Sequence, residues 1–160
     1  MRSFKDRNGK DWAVRITVAS VAACRKDPGF DLLSVMDDKN AVLNLSHDPV
    51  ALVGVLYAVL ATDIKASNMT PEQFGEAVSD GDVIEAATFA LLESIADFSP
   101  SHRRQPLMAA ISKLRTIQAK AGQLATDRIN SAELETAALA NLTTLSGGGD
   151  GSGNTPASSV

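Results

Sequence analysis

Helix-start signals recur along this chain, and they constrain its fold more than any other feature of the sequence. Most combine a side chain that accepts hydrogen bonds from the first helical turn with a proline, acidic or amide residue just inside that turn. The signals are Thr17, Asp48-Pro49, Thr70-Pro71-Glu72-Gln73, Asp82 with Glu85, Ser99-Pro100, and Asn130 with Glu133. Only 4% of the residues are aromatic, which also favours helices over sheets. The chain is therefore expected to be mainly α-helical.

The N-terminal segment departs from this pattern and predicts a β-hairpin around the turn signal Asn8-Gly9. A two-residue loop would place Asp6 opposite Asp11. A three-residue loop, residues 7–9, gives one aromatic and two opposite-charge pairs: Phe4–Trp12, Lys5–Asp11 and Asp6–Lys10. We therefore expect the three-residue loop, with Gly9 in the left-handed conformation. Alternate residues of the second strand then face the core: Trp12, Val14 and Ile16.

A compact helical domain is expected to follow the hairpin. Four helices are predicted: residues 18–26, an apolar helix opening at Asp48-Pro49, a helix capped by Thr70 with Met69 and Phe74 on either side, and a helix from Asp82 to about Phe98. The apolar helix is either central to the core or partly covered by a partner. Residues 30–47 are ambiguous between a short extended piece and one or two helical turns.

A long amphipathic helical arm is predicted after this domain, with a break near Asn130. This helix opens either at the Ser99-Pro100 signal or, because Pro106 fits poorly inside a helix, nearer Gln105. Its apolar side chains recur at helical spacing, and they either pack on the chain's own core or bind another chain. The candidate partner-binding residues are Leu107, Ile111, Leu114, Ile117, Leu124, Leu134 and Leu142.

The predicted organisation has three parts: a hairpin and helical core domain (1–100), the helical arm (101–145), and a Gly/Ser-rich end (146–160). The end carries little that can be buried, so it is expected to be disordered. Its composition is typical of a flexible tail or of a linker leading to a second domain.

Composition limits the classes of function. The net charge of −4 argues against a nucleic-acid-binding protein, which needs a basic surface. The most apolar run, residues 49–61, is shorter than the roughly 20 residues that span a bilayer. The first residues lack the apolar segment of a signal peptide, and the single cysteine fits a reducing compartment. A soluble, cytoplasmic protein is therefore expected.

No arrangement of reactive side chains predicts a catalytic, cofactor or metal site. His47 and His102 lack further ligands at suitable spacing. Cys24 is interpreted as a small apolar core residue, and Asp37-Asp38 as a solvated turn. The expectation is a protein that is not an enzyme and needs no cofactor.

Several stretches between Phe4 and Pro100 together carry a family resemblance: FKDRNGKDWAVRITV, LLSV, DPVALVGVLYAVL and TPEQFGEAVSDGDVIEAATFALLESIADFSP. Within them, the fixed points are Phe4, Asp6, Gly9, Trp12, Asp48-Pro49, Phe74-Gly75 and Phe98. In these features the chain resembles the tail assembly chaperones of long-tailed bacteriophages and prophages. The resemblance covers about three-fifths of the chain and contains no catalytic signature.

The resemblance implies a function in the host cytoplasm. Such chaperones coat the long helical tape-measure protein, keep it from aggregating, and help bring tail tube subunits to it. Many are made in two lengths by a ribosomal frameshift near the end of the short form, so the Gly-rich end would be the linker into the extra domain. The resemblance leaves homo-oligomer formation open.

Two other classes of protein remain open at this point. One is a structural tail or head-completion protein, which would remain in the virion. The other is a small cytoplasmic enzyme or regulator, with a ligand bound at Asp37-Asp38 or Cys24.

Overall fold

The computed structural model describes residues 2–129 and 131–146. Its elements in chain order are β1 (Arg2–Lys5), β2 (Asp11–Val14), α1 (Val18–Lys26), a 3₁₀ helix (Leu32–Met36), α2 (Lys39–His47), α3 (Pro49–Val59), α4 (Ala61–Ala66), α5 (Pro71–Val78), α6 (Gly81–Phe98), α7 (Ser101–Ile129) and α8 (Ala132–Ser146). The predicted mainly helical fold with an N-terminal hairpin is confirmed. Of the predicted Gly/Ser-rich end, residues 147–160 lie outside the described residues.

The hairpin forms in the predicted register. Its strands pair antiparallel with Arg2 opposite Val14, Ser3 opposite Ala13, Phe4 opposite Trp12 and Lys5 opposite Asp11. The Asp6 N–H donates to the Lys10 carbonyl at 3.0 Å, which closes the three-residue loop. Gly9 has a φ of 81°, the left-handed conformation that this loop requires and that glycine adopts without strain.

The loop differs from the prediction in the side chain of Asp6, which does not pair with the ammonium of Lys10. Asp6 is buried, and its carboxylate accepts hydrogen bonds from the main-chain N–H groups of Asn8 and Lys10 and from the indole N–H of Trp12. The Lys10 ammonium instead lies over the Trp12 ring, 3.9 Å from its centroid, and donates to the Ser67 hydroxyl. The donors to the Asp6 carboxylate are therefore neutral N–H groups, two from the main chain and one from Trp12.

The predicted helix caps mostly form as expected. Thr17 caps α1 and Thr70 caps α5, each in a reciprocal capping box with the third residue of its helix. The Asp48 carboxylate accepts from the first turn of α3, with Pro49 at the first helical position. The predicted cap of α6 was wrong, because Asp80, not Asp82, accepts a hydrogen bond from its first turn.

The core is built around α3 and α6. Leu52, Val55 and Leu56 of α3 are fully buried, which decides in favour of a helix central to the core. Helix α6 packs against the hairpin, and its Ser94 hydroxyl donates to the Val14 carbonyl at 3.0 Å. The ambiguous residues 30–47 form helical turns, the 3₁₀ helix and α2.

Helix α7 begins at Ser101, directly after the Ser99-Pro100 signal and at the predicted start of the arm, and not nearer Gln105. Pro106 lies inside the helix and cannot donate the N–H bond of its position. The first turn is held by Arg104, whose guanidinium donates to the carbonyls of Ala96, Asp97 and Ser99 at the end of α6. These bonds satisfy helix-terminal carbonyls and stabilise the turn despite the proline.

The chain divides into two compact units, and the division falls within α7 after Leu114. The predicted division after residue 100 separates the same two parts at the start of α7. Leu107 and Ile111 are buried in the core of the first unit, and Leu114 packs partly buried against it. Helix α7 ends at Ile129 and α8 begins at Ala132, in agreement with the predicted break, whereas the predicted cap residue Asn130 lies outside the described residues.

Candidate partner-binding surface

The seven candidate partner-binding residues separate at the middle of α7. Leu107 and Ile111 are buried, and Leu114 is partly buried against the same core. The prediction of Leu107 and Ile111 as a partner surface is corrected, because their side chains are buried within the first unit, and Leu114 is in large part used by the same core. Sequence periodicity identifies an apolar face but not how much of it the core covers.

The remaining candidates belong to the second unit, and those whose side chains are described are exposed. Ile117 is 55% and Leu124 is 63% exposed, and their spacing of seven residues places them on one face of α7. On α8, Leu142 is 65% exposed. Leu134 lies in the same helix, but its side chain is outside the described residues. We call Ile117 and Leu124 the exposed arm face.

Exposed apolar side chains are concentrated in this second unit. Among the described residues, the large hydrophobic side chains that are exposed are Val18, Val50, Phe98, Ile117, Leu124, Ile129, Leu139 and Leu142. Five of these eight lie between Arg115 and Ser146, a short part of the chain. Because these residues are gathered in one part of the chain, the second unit is the candidate for a surface that binds another macromolecule.

Two cations lie beside the exposed arm face, and neither belongs to the candidate residues predicted from the sequence. Lys120 lies three residues after Ile117 and four before Leu124, and Arg128 lies four residues after Leu124, so both neighbour the face on the helix surface. Both are exposed, and neither forms an ion pair within the described part of the chain. The sequence feature that could have pointed to these cations is the absence of Asp or Glu between Asp97 and Asp127, which leaves this part of α7 positively charged.

The residues considered for chemistry lie in separate places. Asp37 pairs with Arg103 at 3.0 Å, and Asp38 caps α2, so both serve the exposed turn that was predicted. His47 and His102 are exposed. Within residues 2–129 and 131–146, no three metal-ligating side chains come together.

A groove of about 480 Å³ lies between α1 and α3. Its lining is mostly apolar, with Tyr57, Lys26 and Asp27 as its polar members. It contains neither Cys24 nor the Asp37-Asp38 pair. The groove therefore does not gather the residues that the sequence suggested for an enzyme or regulator.

Cys24 is fully buried, and its thiol lies 3.8 Å from the Val55 carbonyl oxygen. Burial raises the pKa of this thiol from 9.0 to about 11, because the thiolate would lose its hydration. At neutral pH the thiol is protonated and packs as a small apolar side chain.

The raised pKa of Cys24 predicts a loss of stability at alkaline pH. The protonated thiol stabilises the folded state fully below pH 9.0, and this contribution is lost as the pH rises through about 11. Between these values the wild-type chain should lose about 2 kcal/mol of unfolding free energy relative to Cys24→Ala. Urea unfolding of both proteins at several pH values measures the difference. Parallel pH dependence of the two proteins would contradict the prediction.

No protein-family model, curated protein or solved structure matches this chain. Among the described helices, none has both the length and the apolar character needed to cross a membrane. The exposed arm face is therefore the feature on which a functional proposal rests.

Proposed function

We propose that this chain is a tail assembly chaperone of a long-tailed bacteriophage. It binds the tape-measure protein in the host cytoplasm, prevents its aggregation, and promotes assembly of the tail tube around it. The family resemblance between Phe4 and Pro100 suggests this function, and the exposed arm face is the observation that carries it. Ile117 and Leu124 are apolar, adjacent on one helix face, and exposed in the unit outside the main core.

The proposed mechanism is the burial of one helix face against another. An amphipathic helix binds an apolar surface through residues spaced by three, four or seven positions, which is the spacing of the exposed arm face. A tape-measure protein is long, so many copies of the chaperone bind along it. Covering its apolar surface in this way removes the surface through which it would aggregate.

The experiment is co-expression of this chain with the tape-measure protein encoded in the same tail gene cluster. The wild-type chain should keep the tape-measure protein soluble and co-purify with it. The double variant Ile117→Asp/Leu124→Asp should lose both effects, because it places two charges in the contact. Its unfolding free energy should change by no more than about 0.5 kcal/mol, because both side chains are mostly exposed.

The matched control is Val50→Asp, which also replaces an exposed apolar residue by aspartate but lies on α3 in the first unit. It should leave binding of the tape-measure protein unchanged. Retained binding by the Ile117→Asp/Leu124→Asp variant would contradict the proposed surface. Stoichiometric amounts of this chain in purified virions would instead identify it as a structural protein, because a chaperone leaves the finished particle.

A further inference from the structure

The charges of the chain are separated into two blocks. Residues 66–97 contain seven acidic residues and no Lys or Arg: Glu72, Glu76, Asp80, Asp82, Glu85, Glu93 and Asp97. Residues 98–126 contain five basic residues and no Asp or Glu: Arg103, Arg104, Lys113, Arg115 and Lys120. An acidic protein with a net charge of −4 thus presents one strongly basic helix, α7.

Two of these basic residues already have partners within the first unit. Arg103 pairs with Asp37 at 3.0 Å, and Arg104 donates to the carbonyls that end α6. Lys120 and Arg128 in the second unit form no ion pair with any described residue, and they flank the exposed arm face. The surface that remains available is therefore both apolar and positively charged.

We propose that the exposed arm face, with Lys120 and Arg128, binds an amphipathic helix whose apolar stripe is flanked by Asp or Glu. The inference rests on the proposed function in taking this face as the docking surface, and it adds the chemistry of the segment that docks there. Apolar contact with Ile117 and Leu124 provides the burial. Pairing of acidic residues with the two cations selects the partner and fixes its register.

The acidic region of α5 and α6 in a second copy of this chain fits the surface less well than a helix that also has an apolar face. The acidic residues at the end of α5 and the start of α6 are exposed and would complement the cations. However, their large apolar neighbours Phe74 and Val78 are fully buried. That region offers negative charge without an apolar stripe, so it cannot cover Ile117 and Leu124. A helix that carries an apolar stripe and acidic residues on the same side matches the whole surface.

The test uses the full chain and two fluorescent helical peptides of about 20 residues, a length at which an isolated helix is stable. Both carry the same leucine stripe, which one peptide flanks with Glu and the other with Lys. At about 0.1 M salt, the Glu peptide should bind about tenfold more tightly than the Lys peptide. The preference should shrink at about 1 M salt, where the screening length falls to about 3 Å.

Two charge variants separate the local effect from the net charge. Lys120→Glu/Arg128→Glu should reverse the preference, so that the Lys peptide binds more tightly. Lys26→Glu/Lys65→Glu changes the net charge by the same amount at exposed sites of the first unit, and it should leave the preference intact. Circular dichroism of each variant checks that the helices remain folded.

Three outcomes would overturn the inference. The first is equal affinity of the wild-type chain for both peptides at low salt. The second is a preference for the Glu peptide that persists in the Lys120→Glu/Arg128→Glu variant. The third is self-association of the wild-type chain, measured by sedimentation, that this variant abolishes. The result is separable from the proposed function. If the chain prefers the Glu peptide but does not bind the tape-measure protein, only the chaperone proposal is refuted. If the chain binds the tape-measure protein through Ile117 and Leu124 but shows no preference for the Glu peptide, only the charge inference is refuted.

Discussion

Replacement of Trp12 by alanine should lower the unfolding free energy by about 3–5 kcal/mol, the range for a large buried aromatic residue. The indole is 1% exposed and stands edge-on to Phe74, with ring centroids 5.3 Å apart. It also donates its N–H to Asp6 at 2.9 Å. Alanine would leave a cavity between the hairpin and α5 and would remove the ring beneath the Lys10 ammonium.

The measurement is urea unfolding followed by circular dichroism, since the variant lacks the chain's single tryptophan. Trp12→Phe should cost less than Trp12→Ala, because it retains a ring against Phe74. Val50→Ala is the matched surface control, since Val50 is exposed, and it should stay within about 0.5 kcal/mol of the wild type. A cost below about 1 kcal/mol for Trp12→Ala would show that the hairpin contributes little to the core.

The parts of the fold that the sequence predicted correctly depend on local chemistry. The hairpin register follows from Asn8-Gly9 and from the pairs that a three-residue loop creates, and all of these lie within a few residues of each other. The caps Thr17, Asp48 and Thr70 likewise act on the first turn of their own helix. Tertiary packing did not override these signals.

The incorrect parts depend on contacts that are distant in sequence. Periodicity placed Leu107 and Leu124 on one stripe, but only the extent of the core decides that Leu107 is covered and Leu124 is exposed. The alternative start of α7 nearer Gln105 came from Pro106, which is locally unfavourable, whereas the bonds of Arg104 to the end of α6 were not visible in the pattern. The spacing of apolar residues predicts that a helix is amphipathic, but it does not predict which part of the apolar face the core covers.

The candidate surface was predicted in part. Its apolar residues Ile117, Leu124 and Leu142 were identified from spacing, and all three are exposed. Lys120 and Arg128 were missed because single basic residues on a helix are ordinary solvent-exposed groups. They become informative only when the exposure of the neighbouring Ile117 and Leu124 is known, together with the lack of acidic residues from 98 to 126.

Replacement of Asp6 by alanine should cost about 3 kcal/mol or more, through hydrogen bonds rather than lost volume. One carboxylate oxygen accepts from the N–H groups of Asn8 and Lys10 at 2.9 and 3.0 Å, and the other accepts from the Trp12 indole at 2.9 Å. Asp6 is buried, so alanine removes the acceptor for two loop N–H groups and for the buried indole. Urea unfolding measures the change in unfolding free energy. A loss below about 1 kcal/mol would mean that water replaces the carboxylate as the acceptor of these N–H groups.

Asp6→Asn isolates the bond to the indole. The amide oxygen can still accept from Asn8 and Lys10, but the amide NH₂ then faces the Trp12 N–H, so two donors oppose each other. We expect a loss of about 1–3 kcal/mol in the wild-type background. In a Trp12→Phe background the same substitution should cost clearly less, because no indole N–H is left to oppose the amide. Equal costs in the two backgrounds would show that Asp6 stabilises only the loop, and unequal costs assign it a second role in positioning Trp12 against Phe74.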